Sequence, residues 1–557
     1  MTKKTWVAGL NHGAHDSAAA LLCDGVLVAA TEQERFTRRK RAIDQPPVDA
    51  LAWCLEHAGI TLADLDAVAL GSDLDVLGAW MGLSPEQRRA ELPLDDPDRL
   101  FPTELFGSEQ RPPVIPVRHH LAHAASCFWP SGFEEAAILV LDNRGEDSAT
   151  TLAYGTRDGI QTLVSYPVEH SLGLFYRIAT QYVGLYSKDG NAGKLMGLAS
   201  YGKPRYPVAL RHSADGPIWD GVPAATASGR ELPPQRTQQL LSYFAEHAYP
   251  YAIGLSDDIT AYVDFAASVQ SAVEETILGL AAELRDRTGS RNICLAGGVA
   301  LNCTANGRLA GSGLFDNVFV QPMAHDAGVG LGAAYEVARQ IAADDFAPQR
   351  MTHALWGPEF SDDQIAAALA ARGLDARRLD EDELVSQVAR IVSAGGVAGW
   401  HQGRSEVGPR ALGGRSLIGD PRRRETLVRL NQVKNREMWR PLAPSVLATS
   451  FDKYFTGTPN PFMIMAASVR EEVRSQIPAV VHIDGSARPQ VVDEADQPRY
   501  AALLRAFETE TGIPVLVNTS YNTAGMPLVN RPEESIDVFM NTDLDALAIG
   551  SYLVTRR

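Results

Sequence analysis

Positive charge is scarce in this chain, and so is cysteine. Its 557 residues hold 51 Lys and Arg against 68 Asp and Glu, a formal net charge of −17. A protein that grips a polyanion needs a basic footprint to displace counterions, so the balance argues against nucleic acid as the main partner. The five cysteines (Cys23, Cys54, Cys127, Cys294, Cys303) are scattered, odd in number and without a CxxC pair. That argues against a disulfide framework and a zinc finger, and predicts reduced thiols in the cytoplasm. No apolar run is long enough to span a bilayer, which predicts a protein without membrane contact. The start, MTKKTWVAGLNHG, lacks the apolar core and small-residue cleavage site of a secretion signal. A chain this long exceeds one core, and its length suggests roughly two to four domains.

What is present is an alternation of strands and helices. An apolar strand (Trp6 to Leu10) leads into a polar turn and a second strand (Ala18 to Leu22), then Asp24-Gly25, then Val26 to Ala30. Asp-Gly between apolar runs is a hairpin signal. The pattern recurs near residue 136, and HDSAAALL (His15 to Leu22) resembles EDSATTLA (Glu146 to Ala153). This predicts an internal duplication, two α/β lobes facing a cleft, with the polar turn after each first strand aimed at bound phosphates. Helical spacing marks Val263 to Gly289, with Gly289 as its C-cap. Polar DDFAPQRMTH (Asp344 to His353) reads as a linker, and a fresh α/β pattern opens after it with Ser361 as an N-cap. The boundary is placed at residue 350, giving domains 1–350 and 351–557. Segment 204–256, rich in Pro, Gly and polar residues, reads as an insertion or lid.

Three groups of residues carry chemistry. In VRHHLAHAAS, His119 and His123 are four apart and share one helix face, a spacing that can hold a metal. Asp142, at the end of the strand AILVLD, and Asp326, in a turn before a glycine-rich helix, could complete the set. Two imidazoles with two carboxylates suit Fe(II), Mn(II) or Zn(II) better than Mg(II) or Ca(II). Taken singly, each aspartate is more often a turn or cap residue. The second group is two glycine-rich stretches, AGGVALNCTANG (Ala296 to Gly307) and DGNAGKLMGLASYG (Asp189 to Gly202). They can bring backbone N–H groups close to a nucleotide, although neither is a Walker A or Rossmann fingerprint. The third is basic: GRSEVGPRALGGRSLIGDPRRR (Gly403 to Arg424), with VKNREMWRPLAPS, GSARPQVV and VLVNTSYNTAGMP. Arginine forks bind phosphate and carboxylate bidentately. Arg410, with Arg404 and Arg415, is expected at a small-anion site. Arg422 to Arg424 are expected to be its solvated neighbours.

Together HHLAHAAS, GNAGKLMGLASYG, AGGVALN, GRSEVGPRALGGRSL, REMWRPLAPS and VNTSYN resemble the O-carbamoyltransferases of antibiotic and nodulation-factor biosynthesis. The likeness runs in order along nearly the whole chain. It implies a duplicated N-terminal domain of the actin, sugar-kinase and chaperone fold, like the tRNA threonylcarbamoyltransferases, and a C-terminal YrdC-like α/β domain. It implies that carbamoyl phosphate and ATP, with Mg(II), give carbamoyl-adenylate, and that a hydroxyl of an antibiotic-type acceptor then takes the carbamoyl group at an Fe(II) site. Carried over by motif, His119, His123, Asp142 and Asp326 are the implied iron ligands. His15 and Lys40 are the implied catalytic residues at the acceptor. Gly193, Lys194, Gly297, Gly298 and Asn302 are the implied adenylate site. Arg410, Lys434, Arg440, Arg488, Asn518 and Ser520 are the implied carbamoyl-phosphate and ATP site. Some relatives carry an aspartate where this chain has Gly13, which points to a different acceptor. Two rival readings are a tRNA threonylcarbamoyl-type enzyme and a nucleotide-dependent kinase or chaperone of the same fold class. The acidic charge opposes the first, and the C-terminal arginines are unexplained by the second. The sequence leaves the acceptor and the oligomeric state open, a homodimer included.

Overall fold

A computed structural model of the chain describes residues 4–108, 110–186, 192–222, 233–247, 261–342 and 345–556. They fall into two compact units, one of residues 4–33 and 41–351, the other of residues 34–40 and 352–556.

The first unit holds two five-stranded sheets of one design. Strands β1 (Trp6–Asn11), β2 (Ala18–Cys23) and β3 (Val26–Glu32) form an antiparallel meander. The Asp24-Gly25 turn between β2 and β3 has positive φ at both residues, 52° and 78°, as a two-residue hairpin requires. Strands β4 (Ala67–Leu70) and β5 (Val114–Pro116) then add in parallel beside β1, giving the order β3-β2-β1-β4-β5. The second sheet repeats this with β6 (Glu135–Leu141), β7 (Ser148–Thr156) and β8 (Gly159–Pro167) as the meander. A hairpin of β9 (Leu210–Ser213) and β10 (Gly216–Trp219) and the helix Pro233–Glu246 come between, within the segment read as an insertion. Residues 223–232 and 248–256 of that segment lie outside the described residues. Strands β11 (Asn292–Ala296) and β12 (Asn317–Val320) complete the order β12-β11-β6-β7-β8. The duplication seen in HDSAAALL and EDSATTLA is therefore a duplication of topology. The long helix Val263–Thr288 ends at Gly289 with φ 68°.

The two lobes lock through small residues. The helix Val329–Ala342 packs on β1, β2 and β4, and on the helix His119–Phe128. A Cβ on Gly9 would lie 1.9 Å from Gly330 O, and one on Gly332 would lie 1.7 Å from Ala122 O. The glycines of VGLGAAYEV thus serve close helix packing. Residues 345–351 do not hang as a free linker. Phe346 packs its ring edge-on to Trp129 at 5.1 Å, and Met351 N donates to Pro130 O at 2.8 Å. An apolar ring in a polar run found a cleft, and that pins the run to the first unit.

The second unit is built on one mixed sheet. Its strands are β13 (Arg377–Arg378), β14 (Val397–His401), β15 (Arg415–Gly419), β16 (Ala443–Leu447), β20 (Gln490–Val492), β21 (Val515–Ser520), β22 (Ala546–Ile549) and β23 (Tyr552–Thr555). Their order is β13-β23-β22-β14-β15-β21-β16-β20. A small sheet of β17 (Phe455–Thr456), β18 (Ala467–Val469) and β19 (Ser486–Ala487) stands beside it. Ser361 caps the helix Asp362–Ala371 in a capping box with Gln364, as the sequence predicts. The segment Glu34–Lys40 belongs to this unit, although it follows β3 directly. Arg35 donates to Gly408 O at 3.1 Å, and Arg38 donates to Leu528 O at 2.7 Å.

Candidate functional site

Four side chains converge in the first unit. The helix His119–Phe128 carries His119 and His123 one turn apart, ring centroids 4.7 Å apart. Asp142 follows the last residue of β6, and Asp326 opens the one-turn helix Asp326–Gly328 after β12. β6, β11 and β12 are parallel, so their C-terminal ends deliver both carboxylates to one place. His119 Nε2 lies 3.7 Å from Asp142 Oδ2 and 3.8 Å from Asp326 Oδ1, and His123 Nε2 lies 3.7 Å from Asp326 Oδ1. One N or O atom from each of the four lies within 4.8 Å of the others.

This donor set fits a divalent transition metal. Nε2 of both histidines is buried and without a hydrogen-bond partner. His119 Nδ1 lies 3.1 Å from Gly71 O, so Nδ1 carries an N–H there and Nε2 is the ring atom that faces the carboxylates. Burial pulls the His119 pKa down, but the two carboxylates outweigh it and hold it well above the usual value. Burial raises Asp326, yet His119 and His123 hold it well below the carboxylate range. The third histidine of the motif turns elsewhere: burial pushes His120 down to about 3, and its Nδ1 pairs with Thr151 Oγ1 at 2.7 Å.

Three backbone contacts fix the cluster. Gly298 N donates to Asp142 Oδ1 at 3.1 Å, and Arg144 N donates to Oδ2 at 3.3 Å. Gly297, at φ 90°, brings the AGGVALN turn so close that a Cβ would lie 2.2 Å from Leu141 O. The third contact was not visible in the sequence. The helix His119–Phe128 has no side-chain cap from its own N-cap residue, Arg118. Glu146, from the β6–β7 turn and 2% exposed, accepts from His119 N at 2.8 Å and from Asp73 N at 2.9 Å. Only the duplication hints at it, since Glu146 aligns with His15. Glu146→Gln keeps the shape and loses the charge that caps the helix. It is expected to weaken metal affinity by about 10–100-fold, the range for outer-shell losses, in a Co(II) titration. Unchanged affinity would show that the cap is dispensable.

The other predicted residues of this unit are placed as follows. His15 Nδ1 lies 3.0 Å from Asp16 Oδ2 and 3.5 Å from Asp326 Oδ2. Burial lowers the His15 pKa, but Asp16 and Asp326 raise it further. Asp16 is itself clasped by Arg41 at 2.7 Å and 3.0 Å. Asn302 is fully engaged: its Oδ1 caps the helix Cys303–Ala310 at Ala305 N, and its amide pairs with Gln270 at 3.0 Å and 3.1 Å. Gly193 opens the helix Gly193–Ala199, where a Cβ would meet nothing within 4 Å. Lys194 follows it, half-buried, and residues 187–191 lie outside the described residues.

A second group, strongly basic, forms in the second unit. Lys434 is buried and donates to Ser520 Oγ at 3.0 Å, Asn522 Oδ1 at 2.7 Å, Asn522 O at 3.1 Å, and Ser520 O. Burial, then Arg436, Arg440 and Lys40, pushes its pKa well down. Arg436, which the sequence reading missed, is pushed down to about 9 by burial, Arg440 and Arg488. Arg488 has a buried Nε with no hydrogen-bond partner. Asn518 Nδ2 donates to Ala411 O at 3.2 Å and Gln490 Oε1 at 2.9 Å, which ties the stretch after half-buried Arg410 to β21. Lys40, expected beside His15, belongs to the second unit with these cations. Like charges held this close, under burial, make a setting that a bound anion would neutralise.

Arg415 and Arg404 do not belong to it. Arg415 is fully buried and donates to Asn530 O, Gln402 O, Gly403 O, Gly414 O and Pro358 O. It is a pillar under loops, where Gly414 O and Pro358 O accept as well from Gln402 N and Ser405 N at 2.8 Å, and burial pulls the Arg415 pKa down to about 10. Arg404 donates to Gly357 O at 3.1 Å and lies over the Trp356 ring at 5.7 Å. Arg422 and Arg423 are held on buried Asp420 at 2.8 Å and 3.4 Å. Arg415→Met is expected to destabilise the second unit by about 3 kcal/mol or more, because it strands buried carbonyls. Urea denaturation measures this, and a loss below about 1 kcal/mol contradicts the pillar role.

Comparison with known sequences settles the family. The pattern described as the carbamoyltransferase N-terminus matches residues 7–82 and 104–335, and that of the carbamoyltransferase C-terminus matches residues 389–556. The chain belongs to the carbamoyltransferase family. This carbamoyltransferase is 36% identical to an uncharacterized protein of Synechocystis sp., over 99% of this chain and 97% of that one. It is 37% identical to nodulation protein NolNO of Sinorhizobium fredii, over 98% of this chain and 79% of that one. Among solved structures, HypF of T. kodakarensis aligns with 61% of this chain and 48% of that one, at 15% identity and a TM-score of 0.36. The protein is thus an enzyme that transfers carbamoyl groups. Among the described residues no helix is long and apolar enough to cross a membrane.

Proposed function

We propose that this enzyme makes carbamoyl-adenylate in its second unit and spends it in its first. Carbamoyl phosphate and ATP bind the cations Arg410, Lys434, Arg440 and Arg488, with Asn518 and Ser520, in a YrdC-like domain running from about residue 351 and including Glu34–Lys40. Water first cleaves carbamoyl phosphate to phosphate and carbamate, and a carbamate oxygen then attacks the α-phosphorus of ATP, giving carbamoyl-adenylate as pyrophosphate leaves. The adenylate then binds near Gly193, Lys194, Gly297, Gly298 and Asn302, and a hydroxyl of an antibiotic-type natural product takes the carbamoyl group as AMP leaves and the hydroxyl proton is removed. No nucleic acid or membrane takes part. Lys40 acts with His15 at the acceptor, and its charge also bears on Lys434.

The geometry supports a division of labour. His119, His123, Asp142 and Asp326 would hold Fe(II), which when bound polarises a carbonyl as a Lewis acid. His15 pairs with Asp16 through Nδ1, which leaves Nε2 to take the hydroxyl proton. Gly298 keeps Asp142 aimed while the same turn borders the nucleotide. Arg436, Arg440 and Arg488 are arranged before any phosphate arrives, so they neutralise charge without reorganising.

The observation that carries the reading is the pair of buried imidazole Nε2 atoms, without hydrogen bonds and facing two carboxylates. Purified protein given ATP, Mg(II) and carbamoyl phosphate is tested for pyrophosphate release. With Fe(II) and hydroxylated natural products added, mass spectrometry is used to look for carbamoyl addition. Absence of pyrophosphate release would sink the adenylate step.

A further inference from the structure

Residues 83–103 lie in a gap of the family pattern, which resumes at residue 104. In the fold they are neither a loose loop nor part of either sheet. Leu74–Met81, Pro85–Glu91, Pro97–Leu100 and Thr103–Phe106 are four short helices between β4 and β5. They stiffen one another. Arg88, 8% exposed, pairs with Asp95 at 2.6 Å and with Asp75 at 3.0 Å, and Gly78 is close enough that a Cβ would lie 2.7 Å from Arg88 Cγ. Leu100 and Phe101 are buried beneath them.

The segment is fastened on both sides of the histidine–aspartate cluster. On one side His12 Nδ1 lies 2.8 Å from Leu94 O, three residues before His15. His12 is 2% exposed, and its Nε2 is buried without a hydrogen-bond partner. On the other side the Arg144 guanidinium lies 5.6 Å over the Trp80 ring, two residues after Asp142. A third tie, Asp73 N to Glu146, sits at the root of the first helix. A rigid segment tied to both polar turns that border the cluster also borders the space between them. Trp80 is half-buried there, and Met81 and Leu105 are exposed by 43% and 45%.

We infer that Leu74–Phe106 is the acceptor-selecting wall of the transfer site, with Trp80 and residues 83–103 setting preference for a ring-bearing polyol over a small linear alcohol. This rests on the proposed hydroxyl acceptor. Residues 83–103 lie outside the family pattern that carries the cluster, and Trp80 stands at its edge, two residues before the pattern breaks off at residue 82. An aromatic face fixed by a cation offers a flat surface to a ring and nothing specific to a short chain.

The experiment supplies ATP, Mg(II), Fe(II) and carbamoyl phosphate, with kanamycin, a macrolide, a cephem alcohol and glycerol as competing acceptors. Carbamoyl addition is read by mass spectrometry, and pyrophosphate release, which the second unit carries, is the internal control. Two variants are compared with the parent: residues 83–103 replaced by a short Gly-Ser linker, and Trp80→Leu. The expected result is that the ratio of kcat/KM for the best ring-bearing acceptor over glycerol falls about tenfold or more in each, the size of a lost specific contact. An unchanged ratio in Trp80→Leu overturns the inference, even where the linker variant fails to fold. Parent protein that releases pyrophosphate but carbamoylates no member of the panel overturns the proposed acceptor class, a separate failure.

Discussion

His123→Ala protein is expected to lose its bound Fe(II) and its carbamoyl transfer while it continues to release pyrophosphate. His123 is fully buried, and its Nε2 faces Asp326 at 3.7 Å with no other partner. Removing the imidazole deletes a donor, so the affinity loss exceeds the about 10–100-fold expected for an outer-shell change such as Glu146→Gln. Transfer falls to background because the remaining carboxylates, left beside His119 alone, neither orient a cation nor polarise a carbonyl. Metal content is read by inductively coupled plasma spectrometry, and transfer by product mass. Iron bound at the parent level would mean that the cluster is an ion-pair network and that the metal lies elsewhere. Loss of both half-reactions together would mean that the two units do not divide the chemistry.

Arg488→Ala produces the complementary result. Its guanidinium stands among Arg436, Arg440 and His482, each of which it pushes toward the uncharged form. A cation kept in such company, with a buried Nε that has no hydrogen-bond partner among the described residues, is suited to an anion. Its removal is expected to cut kcat/KM for carbamoyl phosphate by about 100–1,000-fold, as for loss of one preorganised charge donor. Iron content stays at the parent level. The thermal midpoint holds or rises, because a like charge has left the group. A variant that keeps pyrophosphate release would remove Arg488 from the site. A falling midpoint with release intact would make it a packing residue.

The repeat HDSAAALL and EDSATTLA was legible because strands of period two with Asp-Gly turns leave a local mark, and the topology repeats with them. His119 and His123 were legible for the same reason: one helix turn separates them. Asp142 stood out at a strand end, and Asp326 in a turn before a glycine-rich helix. Glu146, Asp16 and Arg436 were hidden, since a carboxylate that caps a distant helix looks like any turn residue until the chain is folded. The segment Glu34–Lys40 shows the limit most clearly. It follows β3 in sequence, but its seven residues belong to the second unit, where backbone carbonyls of Gly408, Pro527 and Leu528 receive Arg35 and Arg38.

Local periodicity and spacing thus determined the elements, the two lobes, the metal-type residues and the reach of the family likeness. The tertiary structure decided what Arg404, Arg415, Arg422 and Arg423 of GRSEVGPRALGGRSLIGDPRRR touch. Arg415 became a pillar under five carbonyls and Arg404 a clamp on Trp356, while the cations Lys434, Arg436, Arg440 and Arg488 gathered in a group of their own. The sequence shows a charge but not its partners. Whether a guanidinium serves buried carbonyls or awaits a phosphate depends on the groups that folding brings within 3 Å or so of it, and those come from residues far away in the chain.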